Sequence, residues 1–138
     1  MKPFDIIDIS GDVGIRAYGK TLDDAFSSAA IGMYSLITNL DDVKEKRNIT
    51  IEIESHSPEG LLVSWLNELI FHFDTYGFIG KDVHISAMYD NKLTATVAGE
   101  DFDAERHERR LLVKAATYHQ LRIEKIGDTW QIDVIFDI

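Results

Sequence analysis

The sequence predicts an α+β fold, a mostly antiparallel β-sheet system with two packed helices in the order β-β-α-β-α-β-β-β-β-β. Three observations carry this. Two segments place apolar residues at a 3.6-residue period behind capping residues, and most other segments alternate apolar and polar residues. After the second helix comes a run of strands instead of strict βαβ alternation, with connections too short for a Rossmann or barrel arrangement. A chain of 138 residues, 45% of them apolar, is expected to bury one core, so residues 1–138 read as a single domain.

The first 20 residues form two short alternating runs. Phe4, Ile6 and Asp8 share one face, Val13, Ile15 and Ala17 share another, and Ser10-Gly11-Asp12 between them reads as a turn. Thr21 then fits a helix N-cap, with Asp24 in the capping-box position and Asp23 favoured by the dipole. Leu22, Ala25, Phe26, Ala29, Ala30, Met33, Ile37 and Leu40 keep the helical period. Asp41–Arg47 is expected to be a solvated charged loop. Ile49, Ile51 and Ile53, alternating with Thr50, Glu52 and Glu54, predict a strand with one wet face. Ser57 as N-cap and Pro58 at the first position open the second helix, whose buried stripe runs from Leu61 to Phe73 and which Gly77 ends. Strands are expected at Val83–Tyr89 and Leu93–Val97 around an Asp90-Asn91 turn. Three more follow at Leu111–Tyr118, Leu121–Ile126 and Trp130–Phe136, the last two joined around Gly127-Asp128.

Composition narrows the function classes. Fourteen Lys plus Arg stand against 24 Asp plus Glu, giving a net charge of −10. Phosphate backbones and anionic lipid repel such a chain, which leaves hard cations or a basic partner beside plain solubility. Cysteine is absent, which removes disulfide scaffolds, zinc fingers and thiol chemistry. Acidic residues interrupt any signal-peptide core near the N-terminus, and no apolar run reaches the roughly 20 residues of a membrane span. A cytoplasmic location without membrane association is therefore expected.

Gly-x-Gly-x-x-Gly, the P-loop and Gly-x-Ser-x-Gly do not occur, and Arg109-Arg110-Leu111 after His107-Glu108 breaks the His-Glu-x-x-His zinc pattern. His107 and His119 read as unrelated surface histidines, and Trp65 and Phe73 as core. The end of the chain offers more. In the last strand Trp130, Ile132, Val134 and Phe136 point one way, and Asp133 and Asp137 the other. Asp137 and the main-chain carboxylate of Ile138 place two anionic oxygen donors one residue apart. Such donors suit Mg²⁺, Mn²⁺ or Ca²⁺, with Asp8 or Asp12 completing the set if the N-terminal turn lies beside this strand end.

Several segments, in order along nearly the whole chain, resemble the archease family. Asp8-Ile9-Ser10-Gly11-Asp12-Val13-Gly14-Ile15 resembles the family's Asp-His-Thr-Ala-Asp-Ile-Gly-Ile opening. The likeness continues through Gly19–Phe26, Ala30–Met33, Leu61–Leu69, Phe102–Glu108, Val113–His119 and Val134–Ile138. The resemblance implies an activator rather than an enzyme. Archeases act on RtcB-type RNA ligases, which join 3′-phosphate or 2′,3′-cyclic phosphate ends to 5′-hydroxyls in tRNA splicing or RNA repair. They promote guanylylation of the ligase histidine with GTP and allow multiple turnover. RNA would then be met only through the ligase.

By matching motifs, the family's metal ligands fall on Asp12, Asp137 and Ile138, the cation being Ca²⁺, Mg²⁺ or Mn²⁺, with Asp8 as support. A family lysine that matters for activation falls on Lys114. Three departures stand out: Ile9 replaces the family histidine, Ser10-Gly11 replaces Thr-Ala, and Arg109-Arg110-Leu111-Leu112 replaces the usual Gly-Thr. Two other classes compete with the activator. One is a small metal-dependent hydrolase using Asp12 and Asp137, for which no paired general base or positioned nucleophile is apparent. The other is a chaperone or adaptor without a metal role.

Overall fold

Side-chain oxygens start both helices. Thr21 accepts the Asp24 N–H (3.1 Å) at the head of α1 (Leu22–Ile37), and Ser57 accepts the Gly60 N–H (3.0 Å) at the head of α2 (Pro58–Tyr76). Helix α2 stops at Gly77, whose φ of 71° is left-handed and whose N–H returns to the Phe73 carbonyl at 2.9 Å. Only glycine adopts that conformation without a Cβ penalty. The computed structural model describes residues 3–138 and, at Ile9, the main chain alone; Met1 and Lys2 lie outside the described residues.

Among the described residues, eight strands form two antiparallel sheets. The first has the order β1 (Phe4–Ile9), β2 (Asp12–Gly19), β8 (Thr129–Asp137), β6 (Ala115–Ala116), with β7 (Arg122–Ile126) also paired to β8. The second has the order β3 (Arg47–Glu54), β5 (Lys92–Asp101), β4 (Phe78–Tyr89). Ser10 and Gly11 close the β1–β2 turn with φ of 53° and 87°. Asp90 and Asn91, both at positive φ (52° and 57°), make the primed hairpin turn whose twist matches the strands it joins. The α+β class and the element order are those the sequence predicts.

Both helices touch both sheets, so one core forms. Phe26, Met33, Tyr34, Leu62, Trp65, Leu66 and Leu69 from the helices meet Ile15, Val134, Ile51, Phe78 and Val97 from the strands, all essentially buried. Each such side chain contributes about 1.5–3 kcal/mol on leaving water. The Trp65 indole N–H donates to the Phe26 carbonyl (3.0 Å) and ties the two helices together.

Two sequence expectations need correction. Asp41–Arg47 is not simply a solvated loop: Leu40–Asp42 form a 3₁₀ turn capped by Asn39, Val43 is buried, and Arg47 begins β3. Nor is Leu111–Tyr118 a strand, since only Ala115–Ala116 pair. The main chain before them finds other partners. Arg110 and Leu111 donate to the Ile37 and Leu36 carbonyls (3.0 and 2.9 Å), and the Thr38 hydroxyl donates to the Glu108 carbonyl (2.7 Å). Segment 102–114 thus satisfies the orphan carbonyls that end α1, and in doing so gives up a ladder.

Candidate functional site

Strands β2 and β8 pair with Val13 opposite Phe136, Ile15 opposite Val134 and Arg16 opposite Asp133. Ile15, Ala17, Ile132, Val134 and Phe136 turn into the core. Alternation sends Gly14, Arg16, Asp133 and Ile135 to the other face. That face carries a polar ladder. The Arg16 guanidinium grips Asp133 with two bonds (2.8 and 3.0 Å), and the Tyr18 hydroxyl donates to Asp5 (2.9 Å). Asp133 is nearly buried, so its charge depends on this fork. The same hydrogen bond raises the Arg16 pKa, while desolvation, followed by the bond to Asp5, raises that of Tyr18.

The β2–β8 ladder ends at Val13 opposite Phe136, and Asp12 and Asp137 are the next residues of the two strands, by alternation on the face of Arg16 and Asp133. Both are exposed. Asp137 is also opposite Ala115, and its carbonyl accepts the Lys114 N–H at 2.8 Å. The ends of β2 and β8 and the segment leading to β6 thus bring Asp12, Asp137, Ile138 and Lys114 to one end of the sheet. Asp8 is engaged locally: its Oδ1 accepts the Gly11 N–H (3.0 Å) and holds the turn that presents Asp12. Ile9 pairs with Asp12 along the main chain, and its side chain lies outside the described residues.

Sequence reading did not foresee the placement of three residues. His119 stands with Nε2 3.9 Å from Asp12 Oδ2, so it belongs to this end of the sheet. Asn67 on α2 accepts the Ala116 N–H (2.8 Å) and donates to the Ala116 carbonyl (3.5 Å), acting as a strand partner for the segment that carries Lys114. A lone asparagine beside the apolar stripe of a helix was the available signal.

The third is His107, expected at the surface but buried at 2% exposure. Its Nδ1 accepts the Asp103 N–H (2.8 Å), which leaves the proton on Nε2 to be donated to Glu100 (3.0 Å). Glu100 also receives the Arg106 guanidinium and the Lys44 N–H (2.7 Å). Arg106 first, then Lys44 N–H and His107, prevail over desolvation and hold the Glu100 carboxyl down at about 2. This cluster anchors segment 102–114 to β5 and lies apart from the Asp12–Asp137 end.

Among the described residues, no three His, Cys, Asp or Glu side chains form a metal-holding group. The side-chain oxygens at this sheet end that a cation could meet are those of the exposed carboxylates Asp12 and Asp137. Two carboxylates alone would suit only a hard cation that keeps several of its waters. No described helix is long and apolar enough to cross a membrane.

Fold and site together define a small α+β domain that presents exposed carboxylates and a lysine at the end of an antiparallel sheet. The profile of the Archease protein family matches residues 4–138, and the chain belongs to that family. It is 32% identical to protein archease of Sulfurisphaera tokodaii over 139 residues and 36% identical to that of Pyrococcus furiosus over 142, each comparison covering both chains in full. The solution structure of protein 1598 from Methanobacterium thermoautotrophicum superposes with a TM-score of 0.83 at 36% identity over all of both chains. An archease from Thermotoga maritima, described as a possible chaperone, shares the fold at 18% identity, with a TM-score of 0.61 over 96% of this chain and 94% of that one.

Proposed function

We propose that this chain is a protein cofactor of an RtcB-type RNA ligase, promoting GTP-dependent guanylylation of the ligase and its multiple turnover, and that it is not itself the catalyst. The observation that carries the reading is that Asp12 and Asp137 follow the last pair of the β2–β8 ladder in a chain that matches the archease family over residues 4–138. In this reading Asp12, Asp137 and the Ile138 carboxylate hold a divalent cation. The chemistry such a cation supplies is charge neutralisation beside phosphate oxygens.

The chain's own residues do the rest. Asp8 holds the turn that sets Asp12 at the strand end. Asn67 fixes Ala116, and through it the main chain that carries Lys114. The Lys114 ammonium is exposed and free to meet a phosphate or a carboxylate of the partner. Charge favours the encounter: a chain at −10 is steered toward the basic surface that an RNA-binding enzyme must present.

Labelling of the ligase with radiolabelled GTP tests this reading. Wild-type chain is expected to speed labelling, and a folded Asp137→Ala variant to lose most of that effect. Acceleration that survives Asp137→Ala would favour an adaptor without a metal role, in keeping with the chaperone description given to the Thermotoga maritima relative. Phosphoester turnover by the purified chain alone would favour the hydrolase.

A further inference from the structure

Segment 106–114 is unlike the rest of the surface. Its sequence holds Arg106, Arg109, Arg110 and Lys114 against Glu108, a formal +3 within a chain of −10, of which Arg106 is spent on Glu100 of β5. The same stretch exposes Leu112 (64%) and Leu111 (38%). Behind them is an apolar groove of about 200 Å³, lined by Ile37, Phe73, Phe102, Leu111 and Leu112 and edged by Arg109 and Arg110.

The two arginines at its edge differ in what they have left to offer. Arg110 is committed to Glu108 (2.9 Å) and the Ser35 carbonyl (3.2 Å). Arg109 lies over the Phe102 ring, its guanidinium carbon 4.9 Å from the centroid, and among the described residues it has no carboxylate partner. Stacking orients the guanidinium and leaves its hydrogen-bonding edges unused. The main chain beneath is already fixed by the bonds from Arg110 and Leu111 to the end of α1 and by the Thr38 hydroxyl to Glu108. Little ordering is left for a ligand to impose.

We infer that Arg109, Leu111, Leu112 and the groove behind them dock an acidic segment of the ligase partner, one apolar side chain entering the groove and a neighbouring carboxylate meeting Arg109. The inference rests on the ligase reading and names a surface that would contact that partner. Charge decides the class of occupant: this is a basic stretch on a chain that elsewhere repels acidic surfaces. Volume decides the anchor, since the groove is smaller than the roughly 300–1,000 Å³ of small-molecule sites and suits a single side chain. A nucleic acid backbone would leave the leucines without a role and would feel the net −10.

Calorimetric titration of the full chain into the RtcB-type ligase at low and high salt tests it. Arg109→Glu and, separately, Leu112→Glu alter exposed side chains and are expected to fold, as thermal unfolding will show. Each is expected to weaken binding about tenfold or more, and Arg109→Glu to flatten the salt dependence as well. Binding by both folded variants within about twofold of wild type, well inside tenfold per 1.4 kcal/mol, would overturn the assignment while leaving the activator reading intact. Absence of wild-type binding would overturn both. Arg109-dependent binding of a single-stranded RNA oligonucleotide, or a concentration-dependent dimer abolished by Leu112→Glu, would overturn it in favour of RNA or of a second copy.

Discussion

Acidification should remove a defined share of the stability of this chain through one side chain. Glu100 is buried, and Arg106, the Lys44 N–H and His107 hold its carboxyl at about 2 against an ordinary 4.5. A carboxyl whose folded pKa is depressed adds stability that is fully present above the unfolded value. That stability is lost as pH falls through the folded value. The window therefore runs from about 4.5 down to about 2. At about 1.4 kcal/mol per pH unit, the share at neutral pH is about 3 kcal/mol. The perturbation is Glu100→Gln, which keeps the shape and removes the charge. Urea unfolding of both proteins, followed by far-UV circular dichroism from pH 7 to pH 2.5, gives the stability difference at each pH. Taking that difference cancels the other carboxylates. It is expected to be about 3 kcal/mol at pH 7 and to shrink through the acid window as wild type becomes protonated. A gap below about 0.5 kcal/mol at pH 7, the size of an ordinary surface substitution, or one that stays constant with pH, would refute the reasoning.

Other substitutions probe the remaining supports. Arg16→Ala strands the nearly buried Asp133 without its counterion and is expected to destabilise by about 3 kcal/mol in chemical unfolding. Asn67→Ala leaves the Ala116 N–H without its partner; amide exchange at Ala116 should quicken and stability fall by about 1–3 kcal/mol. Thr21→Ala removes the α1 cap, an expected loss of about 1 kcal/mol, with Thr21→Asn keeping most of it.

The local rules worked where structure is local. Thr21, Ser57, Pro58 and Gly77 bound the helices where capping chemistry places them, and Asp90-Asn91 turns the hairpin it predicts. They failed where tertiary partners override pattern. Leu111–Tyr118 looks like a strand, yet the chain enters it with Arg110 and Leu111 bonded to the carbonyls that end α1, a demand invisible in the segment itself. His107 looked solvated because nothing in the sequence near it names Glu100, seven residues earlier and on another element. That Asp12 could lie near Asp137 was legible as a possibility, and the β2–β8 ladder, ending at Val13 and Phe136, puts both residues just past its last pair. His119 beside Asp12 was not legible, because a loop brings it there.

The most direct test of the account is multiple-turnover RNA ligation by an RtcB-type ligase with GTP and Mg²⁺ or Mn²⁺, run with no addition, with this chain, and with a folded Asp137→Ala variant. The account predicts many product molecules per ligase only with the wild-type chain, and a return toward the unassisted level with the variant. Equal product in all three reactions would contradict it.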